Sequence, residues 1–176
     1  MLKVICLLIV LAIVGVFILA LTKPSTFRVE RSTTINASPE KVASLINDFH
    51  RWNEWSPWAK LDPGMTTVYS GPTSGVGSVY EWEGNSKVGK GRMEILSLEP
   101  AKTTIKLDFL KPFEGHNTAA FVLEPQGTTT HVTWIMDGPM NLFPGKLMSV
   151  FTSMDKMIGG DFDKGLANMK AAAEPR

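Results

Sequence analysis

The sequence is poor in cysteine and histidine. Cys6 is the only cysteine, and it lies within an apolar run at the N-terminus. The rest of the chain therefore forms no disulfide and offers no thiolate to a metal. The three histidines, His50, His116 and His131, are too scattered to form a recognisable metal-ligand motif. We expect no metal site and no cofactor.

The chain also lacks an excess of either charge. Residues 24–176 carry sixteen Lys and Arg against seventeen Asp and Glu. A nucleic-acid-binding domain usually presents a strongly basic surface, so this balance argues against a nucleic-acid partner. The glycine-rich pieces at 75–77 and 89–91 do not open a helix, which argues against a phosphate cradle. No Gly-x-Ser-x-Gly element is present.

The N-terminus carries the longest apolar run. Residues 4–21 contain no charge and no proline, and Lys3 and Lys23 flank them. At about 1.5 Å per residue such a helix is about 27 Å long, close to the thickness of a bilayer core. A cleaved signal peptide is the alternative, although its apolar core is usually shorter. We predict a single-pass membrane anchor over 1–23 and a domain over 24–176; the membrane side stays open, with a weak preference for export.

The domain begins with a strand and a helical region. Apolar and polar residues alternate over 27–35, which predicts a strand. Ser38, Pro39 and Glu40 have the order of an N-cap, a first-turn proline and a first-turn acid, which predicts a helix start. A second short helix is predicted around Trp52 and ends at a proline.

The remainder divides into strands and one helix. Period-two alternation between residues 80 and 136, broken by turn residues, predicts a meander of antiparallel strands. From 147 to 169 the apolar residues recur every three or four positions, which predicts one long amphipathic helix. Gly159 and Gly160 interrupt that helix, so we expect a kink or unusually close packing there.

These segments resemble a known superfamily. The entry Asn36-Ala37-Ser38-Pro39-Glu40, the segment Trp52-Asn53-Glu54-Trp55-Ser56-Pro57-Trp58 and the strand around Tyr80-Glu81-Trp82 are similar to the SRPBCC (START-like) proteins, nearest the polyketide cyclase/dehydrase and lipid-transport family. The resemblance covers about 27–172. It implies an α+β helix-grip fold, in which a curved antiparallel sheet of about seven strands wraps a long C-terminal helix and two short helices follow the first strand. It also implies an apolar cavity.

A set of bulky apolar residues is predicted to line that cavity. They share positions on the inward face of a strand, on the amphipathic helix or at the expected mouth. Five of the nine methionines lie between Met140 and Met169, and methionine adapts to apolar ligands of varied shape. The predicted lining residues are Trp52, Trp55, Trp58, Tyr80, Trp82, Phe109, Phe121, Trp134, Met136, Phe151, Met154 and Met157.

Few polar residues suit catalysis. Asp48, His50 and Glu54 lie near the expected mouth and are the best acid-base candidates if the protein is an enzyme. Glu81 and Glu83 share a strand face opposite Tyr80 and Trp82, so they are predicted to face solvent. The same reasoning places Lys106 and Asp108 on the solvent face, and it places His131 there as well.

Three functions are compatible with this pattern. The first is a non-catalytic, membrane-anchored module that binds a hydrophobic small molecule or lipid. The second is a polyketide cyclase/dehydrase-like enzyme, which would need inward acids or bases. The third is a partner-binding structural domain whose core is filled, which predicts no cavity of about 300 Å³ or more. The sequence does not determine the oligomeric state.

Overall fold

The computed structural model describes residues 1–174. Helical and strand segments follow the order that the sequence predicts, apart from β2, which precedes the strands predicted from residue 80 onward, and a later start of the last helix. In chain order they are α1 (Leu2–Leu21), β1 (Thr26–Ile35), α2 (Pro39–Ile46), α3 (Trp52–Trp55), β2 (Thr66–Ser70), β3 (Val79–Glu83), β4 (Lys90–Glu99), β5 (Lys102–Lys111), β6 (Gly115–Gln126), β7 (Thr129–Pro139) and α4 (Met154–Ala173). Short 3-10 turns flank α3 at Phe49–Arg51 and Pro57–Lys60.

All seven strands form one antiparallel sheet in the order β1-β7-β6-β5-β4-β3-β2. Strands β2 to β7 are neighbours in sequence and in space, because short connections join consecutive strands. Only β1 pairs out of sequence, along the free edge of β7. The sheet curves around α4, and α2 and α3 pack at one end of it. This is the predicted α+β helix-grip architecture.

The α2–α3 region is held by caps and indole hydrogen bonds. The side chain of Ser38 accepts a hydrogen bond from the backbone N–H of Lys41, as the sequence predicts for an N-cap. The indole N–H groups of Trp52 and Trp55 donate to the carbonyls of Ile46 and Leu45, each at 2.9 Å. These bonds satisfy two helix-end carbonyls and fix α3 against α2.

The last helix begins later than the sequence predicts. The prediction of one continuous helix from 147 is wrong, since α4 starts at Met154. Before it, residues 142–148 form a short irregular helical segment in which Phe143 has an extended backbone, and residues 149–153 are not helical. Ser153 has an extended backbone and its side chain accepts from the N–H of Lys156, so it acts as the N-cap.

The two adjacent glycines of α4, Gly159 and Gly160, differ in their surroundings. The helix is continuous from Met154 to Ala173, so the expected feature is close packing and not a kink. A side chain on Gly159 would collide with the guanidinium of Arg31, whereas Gly160 faces open space. Arg31 crosses the helix there and pairs with Asp155 at 2.7 Å and with Asp163 at 3.3 Å, which joins β1 to α4.

Helix α1 lies outside the hydrophobic core. Within the described residues, the core extends from Val29 to Ala173 and takes no member from α1. Most α1 side chains are exposed, and Ala20 is its buried residue. The helix is long and apolar enough to cross a membrane. Because the core is complete without α1, residues 24–176 are expected to fold on their own.

The two ends of the sheet carry different loops. We call "the α1 end" the one at which β1 begins, because α1 precedes it by a four-residue linker. Antiparallel pairing brings three further connections to the same end, namely those of β3–β4 (84–89), β5–β6 (112–114) and β7–α4 (140–153). The segment before β2 (61–65) also arrives there. The β6–β7 turn lies at the opposite end.

Candidate functional site

A cavity of about 240 Å³ lies between the concave face of the sheet, the α3 region and the first half of α4. Its wall is almost entirely apolar and rich in aromatic and methionine side chains. The lining residues are Phe49, Trp52, Asn53, Ser56, Trp58, Ala59, Met65, Tyr80, Trp82, Lys87, Val88, Met93, Leu107, Phe109, Ala119, Trp134, Met136, Met154, Ile158 and Phe162.

The sheet supplies its wall through alternate residues. Tyr80 and Trp82 of β3 face inward, and their rings stack with centroids 5.7 Å apart. Phe109 of β5 meets Trp82 edge-on at 6.0 Å. Trp134 and Met136 line the floor from β7. Period-two alternation thus placed these five predicted residues on the cavity wall.

The three tryptophans of the α3 region divide between wall and core. Trp52 and Trp58 line the cavity. Trp55 is buried behind it, edge-on to Trp134 at 5.4 Å and to Phe121 at 5.9 Å. Phe121 is also buried core, stacked on Trp134. The structure therefore places two predicted lining residues, Trp55 and Phe121, in the layer that supports the wall.

On the helix side the phase of α4 selects the lining residues. Met154, Ile158 and Phe162 recur every four positions and face the cavity. Met157 lies off this stripe and is 45% exposed. Phe151 precedes the helix and is 77% exposed. The prediction that Met157 and Phe151 line the cavity therefore disagrees with the structure. Met157 points off the lining stripe of α4, and Phe151 lies in the irregular segment before the helix.

Several lining residues were not predicted. Met65, Lys87 and Val88 come from loops, where no periodicity indicates direction. The β3–β4 loop that carries Lys87 and Val88 is fixed from both sides. The indole N–H of Trp82 donates to the Val88 carbonyl at 2.9 Å, and the backbone N–H of Asn85 donates to Asp62 at 2.6 Å. Inward alternation on β4 and β5 could have indicated Met93 and Leu107.

Trp134, on the cavity floor, holds an unusual polar group that is itself out of contact with the cavity space. Its Nε1 is buried, and it has no hydrogen-bond partner among residues 1–174. The ring is stacked between Phe162 at 4.0 Å and Phe121 at 5.1 Å, so it is held firmly in place. A buried donor without an acceptor is costly, by about 1–3 kcal/mol.

Two ionisable side chains lie on the described part of the wall. One is Lys87, on the β3–β4 loop. The other is Tyr80, where burial, and then the neighbouring Tyr69, raises the pKa to about 12. The Tyr80 phenol is therefore neutral at pH 7 and can donate or accept a hydrogen bond without carrying charge.

The predicted acid-base group lies away from the cavity. Asp48 accepts from the backbone N–H of His50 and contacts its Nδ1, both at 2.9 Å, while the His50 ring stacks on Tyr69 at 4.1 Å. Glu54 is paired with Arg51, whose hydrogen bond lowers the pKa of the Glu54 carboxyl. These contacts serve as caps and surface pairs. Within residues 1–174, no three metal-ligating side chains cluster.

The outer face of the sheet carries paired charges. One of them, Asp108, is more buried than the sequence predicts. Glu81 and Glu83 are exposed as predicted. Asp108 faces outward but is only 7% exposed, because Lys106 and His116 cover it at 2.8 Å each. Burial raises the pKa of Asp108, but the two hydrogen bonds outweigh burial and leave it lowered. The Asp108 hydrogen bond in turn raises the pKa of His116.

The curved sheet around α4, with an apolar cavity between them, defines a helix-grip protein of the SRPBCC (START-like) type. The chain belongs to the polyketide cyclase/dehydrase and lipid transport family, whose model matches residues 26–174. No curated protein matches it by sequence.

Solved structures share this fold at low sequence identity. Major latex-like protein 151 from Panax ginseng has a TM-score of 0.62 at 18% identity, over 86% of this chain and 100% of its own. Protein CV1439 from Chromobacterium violaceum has a TM-score of 0.57 at 18% identity, over 88% and 100%. The di-domain ARO/CYC protein BexL of the BE-7585A biosynthetic pathway has a TM-score of 0.61 at 15% identity, over 90% of this chain and 53% of its own.

Proposed function

We propose that this protein binds a small hydrophobic molecule, or part of a lipid, in the cavity while α1 tethers it to a membrane. Residues 1–23 are the anchor and 24–176 the binding domain in this proposal. The observation that carries it is the aromatic and methionine wall, on which Lys87 is the one formally charged side chain among the described residues. The family's description, which includes lipid transport, supports the same ligand class.

The cavity's size limits what it holds. Ligand pockets usually measure about 300–1,000 Å³, so 240 Å³ lies just below this range. The space fits a compact apolar molecule or one portion of a lipid, with a polar group left outside. Affinity would come mainly from apolar burial, at about 25 cal/mol per Å². The Tyr80 phenol and Lys87 would orient the ligand's polar atoms.

Filling the cavity tests this function. Ala119→Phe places a ring in the cavity from the inner face of β6, and Ala171→Phe adds the same ring to an exposed site on α4 as a control. Displacing about 60 Å² of apolar ligand contact should cost about 1.5 kcal/mol, roughly tenfold in affinity. A titration with a fluorescent fatty-acid analogue should show this loss only for Ala119→Phe.

Equal binding by wild type and Ala119→Phe would contradict the cavity as the binding site. Because overpacking a core costs about 1–3 kcal/mol, circular dichroism must show that the variant is folded. Ala59→Trp, at a half-buried position on the wall, provides a second way to fill the same space.

The tether needs its own test, because a signal sequence has the same appearance as α1. The intact mass of the protein from washed membranes should include residues 1–21. A mass that matches a chain beginning near residue 22, found in a soluble fraction, would contradict the anchor and leave the cavity proposal intact.

A further inference from the structure

An exposed apolar surface lies at the α1 end, beside the cavity. Phe113 from the β5–β6 loop meets Phe143 from the β7–α4 connection edge-on at 5.9 Å. Phe143 is 67% exposed and Phe151, on the same connection, is 77% exposed. Leu142 and Met148 of that connection are exposed as well. We call these five residues the apolar rim.

Hydrogen bonds hold the rim next to the end of α1. The backbone N–H of Met140 donates to the Ser25 carbonyl at 2.8 Å, and Lys146 Nζ donates to Ser25 Oγ at 3.0 Å. The turn Leu142–Lys146 also contacts α1 itself. Four residues join Leu21 to β1, and an extended chain covers about 3.5 Å per residue. If α1 spans a bilayer, the rim lies at the level where the helix leaves it.

The chemistry of the rim suits the boundary between headgroups and acyl chains. Aromatic and aliphatic side chains are favoured at that depth. The connections at the α1 end, together with the linker and segment 61–65, carry three lysines (Lys23, Lys87, Lys146) against two acids (Asp62, Glu114). This near balance means that attraction to anionic lipids is weak, so contact with the bilayer would depend on the apolar residues.

The cavity extends to the same end. Met65, Lys87 and Val88 line it from segments that reach the α1 end, and Met154 lines it directly after the β7–α4 connection. We propose that the apolar rim rests in the interface of the membrane that α1 spans, so that the cavity faces the bilayer. An apolar ligand would then pass between membrane and cavity without crossing water. This inference rests on the tether and cavity proposed above.

Depth-dependent quenching in the full-length chain tests it. Cys6 is the only cysteine, so a fluorophore can be placed on native Cys6, or on Phe143→Cys or Thr128→Cys in a Cys6→Ser background. Thr128 is exposed in the β6–β7 turn, at the opposite end of the sheet. Each protein is reconstituted in two sets of phosphatidylcholine nanodiscs. The lipids of one set carry a doxyl quencher near the headgroup, and those of the other carry it on the acyl chain.

We expect the label at position 143 to be quenched several-fold more strongly than the label at 128, with little change in high salt. Equal, weak quenching at 143 and 128, while a label on Cys6 is quenched by acyl-chain doxyl, would overturn the docked rim and keep the anchor. A label on Cys6 that acyl-chain doxyl does not quench would overturn the anchor and the docking together. Shielding of position 143 from water without lipid quenching would assign the rim to a protein partner or a second copy and overturn the proposal.

Discussion

At the scale of single residues, Trp134 combines two roles that can be separated by substitution. Its ring packs between Phe162 and Phe121, and its buried N–H lacks an acceptor in residues 1–174. Phenylalanine keeps most of the ring packing and removes the donor. The interior therefore loses some apolar volume and also loses an unsatisfied polar group, and these effects oppose each other.

Trp134→Phe is thus expected to change the free energy of unfolding by less than about 1.5 kcal/mol. Its affinity for a hydrophobic ligand should change by less than about tenfold, because the N–H is too buried to bond a molecule in the cavity. Chemical denaturation and calorimetric titration measure the two quantities. A large loss of affinity, confined to ligands that carry a carbonyl or hydroxyl acceptor, would show that the N–H does contact the ligand.

Asp108 and His116 form a pair whose contribution to stability depends on pH. The pKa of Asp108 is lowered, so its contribution is present above the ordinary carboxyl value of 3.8 and is lost as pH falls through the folded value. The pKa of His116 is raised, so its contribution is present below 6.5 and is lost as pH rises through the folded value. The pair therefore stabilises the fold most between pH 3.8 and pH 6.5, the ordinary pKa values of the two groups.

Asp108→Asn should lower the pKa of His116 towards its ordinary value, because the strongest hydrogen bond to the imidazole then lacks its charge. An NMR titration of the His116 ring protons measures this. Glu114→Gln is the matched control, since Glu114 contacts the same ring at 3.3 Å but is well exposed, and its effect should be smaller. An unchanged His116 titration in Asp108→Asn would show that the pair does not form in solution.

At the scale of elements, the neighbouring glycines of α4 make a direct comparison. Gly160→Ala should raise the free energy of unfolding by up to about 1 kcal/mol, because alanine favours a helix and the site is open. Gly159→Ala should give no gain, because the new methyl group displaces Arg31 from Asp155 and Asp163. Thermal or chemical denaturation tests the pair. Equal gains at both positions would mean that Arg31 does not hold β1 to α4.

The elements also show where sequence reasoning succeeds. Alternation fixed the inward face of the strands, so Tyr80 and Trp82 could be assigned to the wall. The helix start at Ser38 was predictable because its capping bond is local. The start of α4 was not, because Phe151 continues the helical spacing although the backbone leaves the helix before Ser153. Loop residues such as Val88 carry no periodic signal at all.

The burial depth of a side chain was also not predictable from the sequence. Trp55 and Phe121 have the chemistry of lining residues, but the depth of a side chain depends on which partner lies in front of it. Asp108 alternates like a solvent-facing residue but is covered by Lys106 of its own strand and by His116 of the neighbouring β6. Both outcomes depend on tertiary packing, which local sequence patterns do not encode.

At the scale of the whole molecule, the two ends of the sheet differ in a way that fits a membrane-tethered binding protein. The α1 end unites the apolar helix, the exposed rim around Phe143 and the segments around Met65 and Val88 that line the cavity. The opposite end is closed by α2 and the C-terminus of α4, where the backbone N–H of Asn36 donates to Glu174 at 2.8 Å. We expect ligand to enter and leave at the α1 end.

The proposed function requires that the cavity hold a hydrophobic molecule. Native mass spectrometry of residues 24–176 purified from a bacterial host, followed by solvent extraction, measures this directly. We expect an additional apolar mass that solvent releases from the wild type and that is missing from Ala119→Phe. A bare wild-type protein that also fails to bind a hydrophobic fluorescent probe would contradict the account and would favour a packed domain that acts through protein partners.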